Sequence, residues 1–383
     1  MDMKKFLSDL ERLVNIDCGS NVPEGVQEVT EIFKKELEND WIVEVYPQND
    51  GKNPVLVAKN RDSEDIDLMF LGHNDTVFPR GTVPAWSYKL DGNIATGAGV
   101  YDMKSGVLSM IEVAKEFKNE DITIALVMNT DEEISSLHSR PIIEKMGAKA
   151  KYAMVFEPAR KNGNAVIERK GLVKYKVEFF GKASHAGNYP QEGINAIVEA
   201  AHWVGEISKL HNWDIKNSLN VGLIEGGAGV NIVPDYACFK FEGRSHQVEF
   251  FETIRKTMEE LQANPKVAGI KVKVEEIGYR PPLVLNDKSA LLRDLFDESK
   301  KEMGIKYDWE VAGGCSDGNF LGVLGVGVVD AVGPVGGEAH SKNEYLDVST
   351  VEERINLAKS VVRKMIDRKI IGSLSNSVGG KNK

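Results

Sequence analysis

Apolar residues along the chain recur in two spacings that alternate with each other. Short runs of consecutive apolar residues, typical of buried strands, occupy residues 54–59, 67–71, 122–128 and 152–156. Between the second and third runs, residues 103–117 carry apolar side chains at helical spacing. Strands that are apolar throughout and alternate with helices predict a mostly parallel sheet covered by helices.

The pattern changes between residues 170 and 280. The segments there read strand, helix, strand, strand, helix, strand, at residues 173–180, 195–210, 218–224, 236–242, 250–262 and 271–277. This order is the ferredoxin-like one, so we predict a separate α+β domain inserted into the first. Arg280-Pro281-Pro282 is the predicted exit, because proline restricts its own backbone and that of the preceding residue.

Alternation of helix and strand resumes after the insertion. Residues 288–302 and 348–369 predict helices, and residues 325–331 predict a buried strand. The polar tail, residues 373–383, is predicted to fray. The predicted organisation is a discontinuous α/β domain, residues 1–169 and 281–383, that surrounds an inserted domain, residues 170–280.

Composition and charge narrow the function classes. The chain has 383 residues, which suits about two domains. Its formal net charge is -10, and an acidic surface repels phosphate backbones, so nucleic acid is not an expected partner. Cys18, Cys238 and Cys315 are an odd number with wide spacing and predict neither a disulfide framework nor a CxxC metal site.

The cellular location is predicted from two features that the apolar segments do not have, those of a signal peptide and those of a membrane span. The N-terminal residues read as an amphipathic helix, without the apolar core and small-residue cleavage site of a signal peptide. No apolar run is long enough to span a bilayer. We therefore predict a cytoplasmic location and no membrane partner.

Ionisable side chains follow directly after the predicted buried strands. His73 and Asp75 follow the run at 67–71, Glu132 and Glu133 follow the run at 122–128, and Glu157 follows the run at 152–156. Ligands of open parallel sheets bind at the carboxyl ends of the strands, so these side chains are expected to meet at one edge. Asp102, just before the predicted helix at 103–117, is expected at the same edge.

Several acidic groups at one edge would repel each other unless a cation balanced them. Imidazole and carboxylate ligands without thiolate suit Zn²⁺, with Co²⁺ or Mn²⁺ as alternatives. More carboxylates than one zinc ion needs predict a bridged pair of ions about 3.5–4 Å apart. Each histidine or acidic pair alone is more often a surface or helix-start residue, so the prediction depends on the ordered set.

Eight short motifs stand in order from residue 73 to residue 340. They are HisAsnAsp at 73–75, AspMetLysSerGly at 102–106, AspGluGlu at 131–133, GluPro at 157–158, SerHisAlaGly at 184–187, AsnIleValPro at 231–234, GlyGlyCysSerAsp at 313–317 and GlyGlyGluAlaHis at 336–340. Together they resemble the M20 family of dizinc metallopeptidases. That family includes glutamate carboxypeptidase, aminoacylase, and the deacetylase and desuccinylase enzymes of amino-acid synthesis.

The resemblance implies a zinc-exopeptidase-like catalytic domain with an inserted lid and dimerisation domain. It implies that His73, Asp102 and Glu157 hold one zinc ion, and that Asp102 bridges to a second ion held by Glu133 and His340. Two further residues have implied roles beside the ligands: Glu132 as the general base, and Asp75 as the residue that orients His73. The peptide bond after Asp102 is cis in this family.

The inserted domain and one glycine-rich loop are implied to bind the substrate. By resemblance, His185 stabilises the tetrahedral oxyanion, acting across a homodimer interface. Asn231 and Arg244 would hold the terminal carboxylate, which a guanidinium binds bidentately. Gly314 and Ser316 would lie in a loop near the substrate.

The expected reaction is hydrolysis of a small peptide or N-acyl amino acid by water bridging two zinc ions, with Glu132 as proton acceptor. A glutamate-carboxypeptidase-like exopeptidase is the leading hypothesis. The alternatives are an N-acyl amino acid deacylase of the same family and a non-catalytic peptide-binding relative. Cys315 as a thiol nucleophile is disfavoured, because its neighbourhood in the sequence lacks a His–Asn arrangement.

Overall fold

The computed structural model describes residues 1–372, so the predicted fraying of residues 373–383 lies outside the described residues. The chain forms two compact units. Within the described residues, the first comprises Met1–Glu168, Leu283–Ala312 and residues 316–372, and the second comprises Arg169–Pro282 and Gly313–Cys315. No helix within residues 1–372 combines the length and apolar character needed to cross a membrane.

Helices and strands are interleaved throughout the described residues. The helices, in chain order, are α1 Met3–Val14, α2 Pro23–Leu37, α3 Thr82–Ala85, α4 Ser105–Phe117, α5 Arg140–Gly147, α6 Ala196–Ser208, α7 Val248–Ala263, α8 Asp287–Met303, α9 Gly318–Gly322 and α10 Val351–Asp367. The strands are β1 Ile42–Gln48, β2 Asn53–Lys59, β3 Ile66–His73, β4 Lys89–Asp91, β5 Ile94–Thr96, β6 Ile124–Asn129, β7 Ala150–Val155, β8 Ala165–Arg169, β9 Gly171–Phe180, β10 Ser184–His185, β11 Ser218–Gly226, β12 Ile232–Val233, β13 Tyr236–Ser245, β14 Lys271–Arg280, β15 Trp309–Ala312, β16 Gly327–Val329, β17 Gly336–Gly337 and β18 Tyr345–Asp347.

A six-stranded sheet organises the first unit, in the order β1-β2-β6-β3-β7-β16. Strand β3 runs parallel to both β6 and β7, and β7 runs parallel to β16. Strands β1 and β2 form an antiparallel edge. The mostly parallel α/β fold class is therefore confirmed.

Both faces of this sheet are covered, which explains why its central strands are apolar throughout. Leu68 and Phe70 of β3 pack into a core that includes Val107 of α4 and Leu357 of α10. Met69 and Leu71 point to the opposite face, into a core with residues of α5 and α9. Successive residues of a strand face opposite sides, so a strand buried on both sides reads as a continuous apolar run.

The second unit contains a four-stranded antiparallel sheet in the order β11-β13-β9-β14. Helices α6 and α7 pack on it through Trp203 and Ile254, both fully buried. With strands and helices in the chain order β9, α6, β11, β13, α7, β14, this is the predicted ferredoxin-like arrangement. Strand β11 is an edge strand, and residues 223–226 at its end are exposed.

Candidate metal centre

Three parallel strands deliver polar side chains to one edge of the first unit's sheet. His73 ends β3 and lies opposite Asn129, the last residue of β6, while Leu71 lies opposite Val155 at the end of β7. Glu133 follows β6 and Glu157 follows β7 within a few residues. Because these strands are parallel, their carboxyl ends share an edge, and the side chains that follow them converge there.

Asp102 reaches this edge from a tight loop before α4. Gly97 and Gly99 have φ of +143° and +72°, values that side chains larger than glycine rarely adopt. Asp102 itself is extended, at φ -111° and ψ 97°, and the Asp102–Met103 peptide bond is cis, as predicted. Helix α4 therefore begins at Ser105 rather than at the predicted residue 103.

His340 comes from the loop between β17 and β18. Its backbone lies in the left-handed region, with φ +64°, and its side chain is 54% exposed. Pairing of β18 with β5 brings this loop next to the segment that leads to Asp102. His340 is therefore the accessible member of a cluster whose other members are largely buried.

The five predicted metal ligands form two groups that share one aspartate. His73, Asp102 and Glu157 make one group, and Asp102, Glu133 and His340 make the other; within each group the candidate ligand atoms lie within 4.8 Å of one another. His73 Nε2 is 3.3 Å from Asp102 Oδ1 and 3.7 Å from Glu157 Oε1. His340 Nε2 is 3.3 Å from Asp102 Oδ2 and 3.3 Å from Glu133 Oε2. Each oxygen of Asp102 thus faces a different histidine, as a carboxylate shared by two cations would.

The electrostatics of the cluster favour divalent cations. Burial, and after it the charge of Asp102, raises the pKa of Glu157 well above its usual range. Burial also raises the pKa of Glu133 to about 7, against the hydrogen bond from His340, and Glu133 Oε1 is buried without a hydrogen-bond partner in residues 1–372. Hydrogen bonds to Asp102 and Glu133 raise the pKa of His340 to about 11. Carboxylates that are largely buried, placed beside one buried and one accessible imidazole, are a donor set that divalent cations satisfy.

The predicted general base lies beside these ligands. Burial and the charge of Asp102 raise the pKa values of Glu133 and Glu157 most. The negative charge of Glu132 raises both further. Glu132 begins a short turn that follows β6, and its side chain is half-buried. It is therefore close to the cluster without belonging to either ligand group.

Asp75 holds two parts of the site at once. The Nδ1 atom of His73 lies 3.3 Å from Asp75 Oδ1 and 3.0 Å from the Asp75 carbonyl oxygen. The same carboxylate, fully buried, accepts hydrogen bonds from the amides of Glu132 and Glu133 at 3.2 and 3.1 Å. It also accepts one at 2.7 Å from the hydroxyl of Ser20, a residue that was not predicted from the sequence. Asp75 thus fixes both His73 and the turn that carries Glu132 and Glu133.

Replacing Asp75 with alanine is expected to lower the free energy of unfolding by about 3–5 kcal/mol, because Ser20, Glu132 and Glu133 would keep buried donors without an acceptor. Urea unfolding of chelator-treated protein measures this effect apart from metal binding. The control is Asp40→Ala, which removes only a surface ion pair with Lys118 and should change stability by less than about 1 kcal/mol. An Asp75→Ala variant as stable as this control would contradict the assignment.

Glu344 and Lys104, two more residues that were not predicted from the sequence, hold the Asp102 loop. The Glu344 carboxylate is fully buried and accepts hydrogen bonds from the amides of Gly99, Tyr101 and Asp102 at 3.3, 2.9 and 3.0 Å. The Lys104 ammonium, also buried, donates to the Ala98 carbonyl at 3.0 Å. Nothing in the sequence distinguishes Glu344 from the many surface glutamates, because its burial depends on partners about 240 residues away.

His185 and Asn231 lie together in the second unit. Strands β10 and β12 pair His185 with Ile232, and the Ala186 amide donates to the Asn231 carbonyl at 3.0 Å. His185 is exposed, and its Nδ1 accepts hydrogen bonds from the amides of Gly187 and Asn188, each at 3.1 Å. An accepting Nδ1 leaves Nε2 as the protonated nitrogen, so His185 presents an N–H donor to its surroundings.

Arg244 lies near the far end of β13, away from Asn231. Asn231 precedes the start of β13 at Tyr236, so roughly 25 Å of strand separates them. Arg244 pairs with Glu242 at 2.8 Å and donates to the Gly313 carbonyl at 3.3 Å. One chain therefore does not bring Asn231 and Arg244 to the same carboxylate.

The two predicted loop residues differ in accessibility. The Gly314 carbonyl accepts a hydrogen bond from Arg169 at 3.3 Å, and a Cβ at Gly314 would meet open space. Ser316 is fully buried, and its hydroxyl donates to Asp330. Gly314 is therefore exposed, while the Ser316 side chain is not accessible to a ligand.

Two candidate ligand groups that share a carboxylate, at the strand ends of an α/β sheet, are an arrangement typical of hydrolytic metalloenzymes. Sequence comparison gives the family: the model of peptidase family M20/M25/M40 matches residues 69–364. The chain belongs to this family of peptidases and amidohydrolases. Membership implies that it is a hydrolase that uses divalent metal and acts on a peptide or an acyl-amino acid.

Individual relatives agree with this assignment along nearly the whole chain. Carboxypeptidase G2 of Pseudomonas sp. (strain RS-16) is 28% identical over 368 residues, covering 93% of this chain and 88% of the relative. Succinyl-diaminopimelate desuccinylase of Aliarcobacter butzleri (strain RM4018) is 25% identical, covering 87% and 93%. The crystal structure of aminopeptidase PepT from Bacillus cereus superposes with a TM-score of 0.72 at 23% identity, covering 96% of this chain and 99% of that one, which shows the shared fold.

Proposed function

We propose that this protein is a carboxypeptidase-like M20 exopeptidase that uses two divalent cations, most simply Zn²⁺, to release a C-terminal residue from a small peptide. The observation that carries the proposal is the pair of ligand groups joined through Asp102. His73, Asp102 and Glu157 would hold one cation, and Asp102, Glu133 and His340 the other. Co²⁺ and Mn²⁺ suit the same oxygen and nitrogen ligands.

The proposed mechanism assigns proton transfer to Glu132. Cations held by these residues would supply Lewis acidity, which would lower the pKa of a water molecule and polarise the scissile carbonyl. Glu132 accepts a proton from the attacking water and then gives it to the leaving amine nitrogen. The C–N bond breaks, and the water oxygen remains on the new carboxyl group. The second proton of the water passes from that carboxyl group to the released amine, so the products are a carboxylate and an ammonium, and Glu132 returns to its ionised form.

His185 is proposed to donate Nε2–H to the oxyanion of the tetrahedral intermediate. The hydrogen bonds that Nδ1 accepts from Gly187 and Asn188 support this role, because they favour the tautomer with a free Nε2–H. Asn231, which lies next to His185, would donate its side-chain amide to the same substrate.

Arg244 is proposed to bind the substrate's terminal carboxylate. Arg244→Ala is expected to raise KM by about 10–100-fold with a smaller change in kcat, because a charge-assisted pair of about 1.5–3 kcal/mol is lost in ground and transition states alike. Steady-state kinetics on a dipeptide and on its C-terminal amide measure this. Arg255→Ala, which removes an exposed arginine of the same unit, is the control. If Arg244→Ala leaves KM unchanged, the carboxylate is bound elsewhere.

The second unit is proposed to form a homodimer through β11. This edge strand exposes Leu223 and Ile224 to 64% and 59%, and Val198 of α6 is exposed to 48%. An unpaired edge with apolar side chains is a surface on which a second copy can add a strand. The separation of Asn231 from Arg244 along β13 agrees with a substrate held by residues from two copies.

Ile224→Lys is expected to convert the dimer to a monomer, because it places a charge on the proposed interface. Light scattering across a concentration series measures the mass. Val248→Lys, at an exposed position at the start of α7, is the matched control and should remain dimeric. A wild-type protein that is monomeric at every concentration would contradict the dimer.

Mixing two inactive variants tests whether His185 acts in the partner's site. Glu132→Gln and His185→Ala, unfolded and refolded together, should regain about a quarter of wild-type activity, since half of the dimers carry one complete site. If the mixture stays inactive although mixed dimers form, His185 does not act across the interface.

A carboxypeptidase and a deacylase differ in the group on the acyl side of the scissile bond, which is an amino-acid residue for the first and a simple acyl group for the second. The identity to carboxypeptidase G2 favours a peptidase, and the identity to the desuccinylase favours a deacylase, which is the second candidate function. A cavity of about 460 Å³ beside Glu133, lined by Val22, Phe78, Pro79 and Ile134 among others, has room for an apolar acyl group larger than acetyl.

The deciding experiment compares kcat/KM for an N-blocked dipeptide that ends in glutamate with kcat/KM for N-acetylglutamate and N-succinylglutamate. We expect at least about tenfold preference for the dipeptide, which corresponds to about 1.4 kcal/mol of transition-state binding. Preference for either N-acyl amino acid would move the assignment to the deacylases. The cytoplasmic location stays a prediction.

A further inference from the structure

We propose that Glu344 is a positioning residue that couples the shared ligand Asp102 to His340, and so sets the affinity of the second cation site. The proposal rests on the proposed two-cation function and concerns a residue that touches neither ligand side chain. It is carried by the hydrogen bonds of one buried carboxylate and by the path of the chain on either side of it.

The first observation is the shape of the Asp102 loop. The amides of Gly99, Tyr101 and Asp102 point to one place, and the Glu344 carboxylate occupies it. Successive amides that converge in this way form a concavity for an anion. Oε1 accepts from Tyr101 and Asp102, and Oε2 accepts from Gly99, so both oxygens are used.

The second observation is that Glu344 and His340 belong to one short segment. The Glu344 amide donates to the Ser341 carbonyl at 3.1 Å, which closes a turn directly after His340. Immediately beyond Glu344, Tyr345 pairs with Thr96, at the start of the loop that ends in Asp102. A displacement of the Asp102 loop is therefore transmitted to the segment that carries His340.

The third observation is that the opposite side of the loop is held as well. The buried Lys104 ammonium donates to the carbonyls of Ala98 and Ile16, at 3.0 and 3.4 Å. The Tyr101 hydroxyl donates to the Ala159 carbonyl at 2.5 Å. With these contacts intact, loss of Glu344 would release the amides of the loop without unfolding it.

The two candidate cation sites differ in how far they depend on Glu344. In the group of His73, Asp102 and Glu157, His73 is the last residue of β3 and Glu157 follows β7 by two residues, so neither depends on Glu344 for its place. The group of Asp102, Glu133 and His340 has two of its three members tied through Glu344. Loss of the Glu344 carboxylate should therefore weaken the second site more than the first.

Titration of metal-free protein with Co²⁺, followed by its visible absorption spectrum, tests the proposal. In Glu344→Ala we expect the second equivalent of Co²⁺ to bind at least about tenfold more weakly and with an altered spectrum, while the first changes less. Glu344→Gln keeps one oxygen that can accept from Tyr101 and Asp102, so it should lie between wild type and Glu344→Ala. Glu344→Gln also allows the proposal to be tested if Glu344→Ala does not fold. Glu352→Ala, an exposed position at the start of α10, is the control.

Each outcome separates this proposal from the proposed function. Two Co²⁺ ions in wild type, with unchanged second-site affinity and spectrum in both Glu344 variants, would overturn the positioning role and leave the function intact. Equal weakening of both sites would also overturn the coupling to His340. A wild-type protein that binds no Co²⁺ would overturn both proposals.

Discussion

Replacing Glu132 with glutamine is expected to lower kcat by about 10²–10⁴-fold, with nearly unchanged metal content and KM. The amide cannot accept the proton of the attacking water, although it fills the same volume. The ligand groups do not include Glu132, so both cations should remain. Steady-state kinetics over a series of peptide concentrations, with metal analysis of the same sample, measure all three quantities.

The control for this experiment is Glu116→Gln, which neutralises an exposed glutamate paired with Lys359. It should retain wild-type kcat. A Glu132→Gln variant within a few fold of wild type would show that another group moves the proton. A variant that lost its metal as well would show that Glu132 is a ligand.

Replacing Asp102 with alanine is expected to remove both cations, because this carboxylate belongs to both ligand groups. Metal content after dialysis should fall from about two ions per chain to near zero, and hydrolysis should stop. His340→Ala should instead keep about one ion, since the group of His73, Asp102 and Glu157 is complete without it.

The contrast between these two variants is the informative result. Plasma mass spectrometry of the two variants and wild type, dialysed together, measures it. If Asp102→Ala keeps one ion as His340→Ala does, the aspartate serves a single cation, and the shared-ligand geometry would be contradicted.

The candidate metal ligands were predictable because a simple physical rule brings them together. A buried apolar run predicts a strand, and the polar residues that end parallel strands must meet at one edge. His73, Glu133 and Glu157 follow from this rule alone. His340 and the pairing of ligands into two groups came from the resemblance to the M20 family, because loop conformations are not readable from apolar spacing.

Two residues that support the candidate ligands, Ser20 and Glu344, were not predictable in the same way. Ser20 and Glu344 act on Asp75 and on the Asp102 loop across separations of 55 and about 240 residues. A serine and a glutamate are common surface residues, and only burial among converging donors identifies them. Their role is therefore visible only after folding.

The grouping of Asn231 with Arg244 shows a different limit of sequence reasoning. Both were expected at one substrate carboxylate, but β13 is a continuous strand of ten residues that keeps them far apart in one chain. The sequence predicted the strand and, by resemblance, a homodimer, but it did not show that Asn231 and Arg244 lie near opposite ends of that strand. The helix predicted over residues 103–117 is present, but it begins two residues later, at Ser105, because Asp102 and Met103 have non-helical dihedral angles.

The most direct test of the central claim is metal analysis of purified wild-type protein together with hydrolysis of an N-blocked dipeptide before and after chelation. We predict about two Zn²⁺, Co²⁺ or Mn²⁺ ions per chain, loss of hydrolysis on chelation, and recovery when the metal is restored. Hydrolysis that survives complete removal of metal, or a protein that binds no divalent ion and cleaves no peptide when metal is added, would contradict the account.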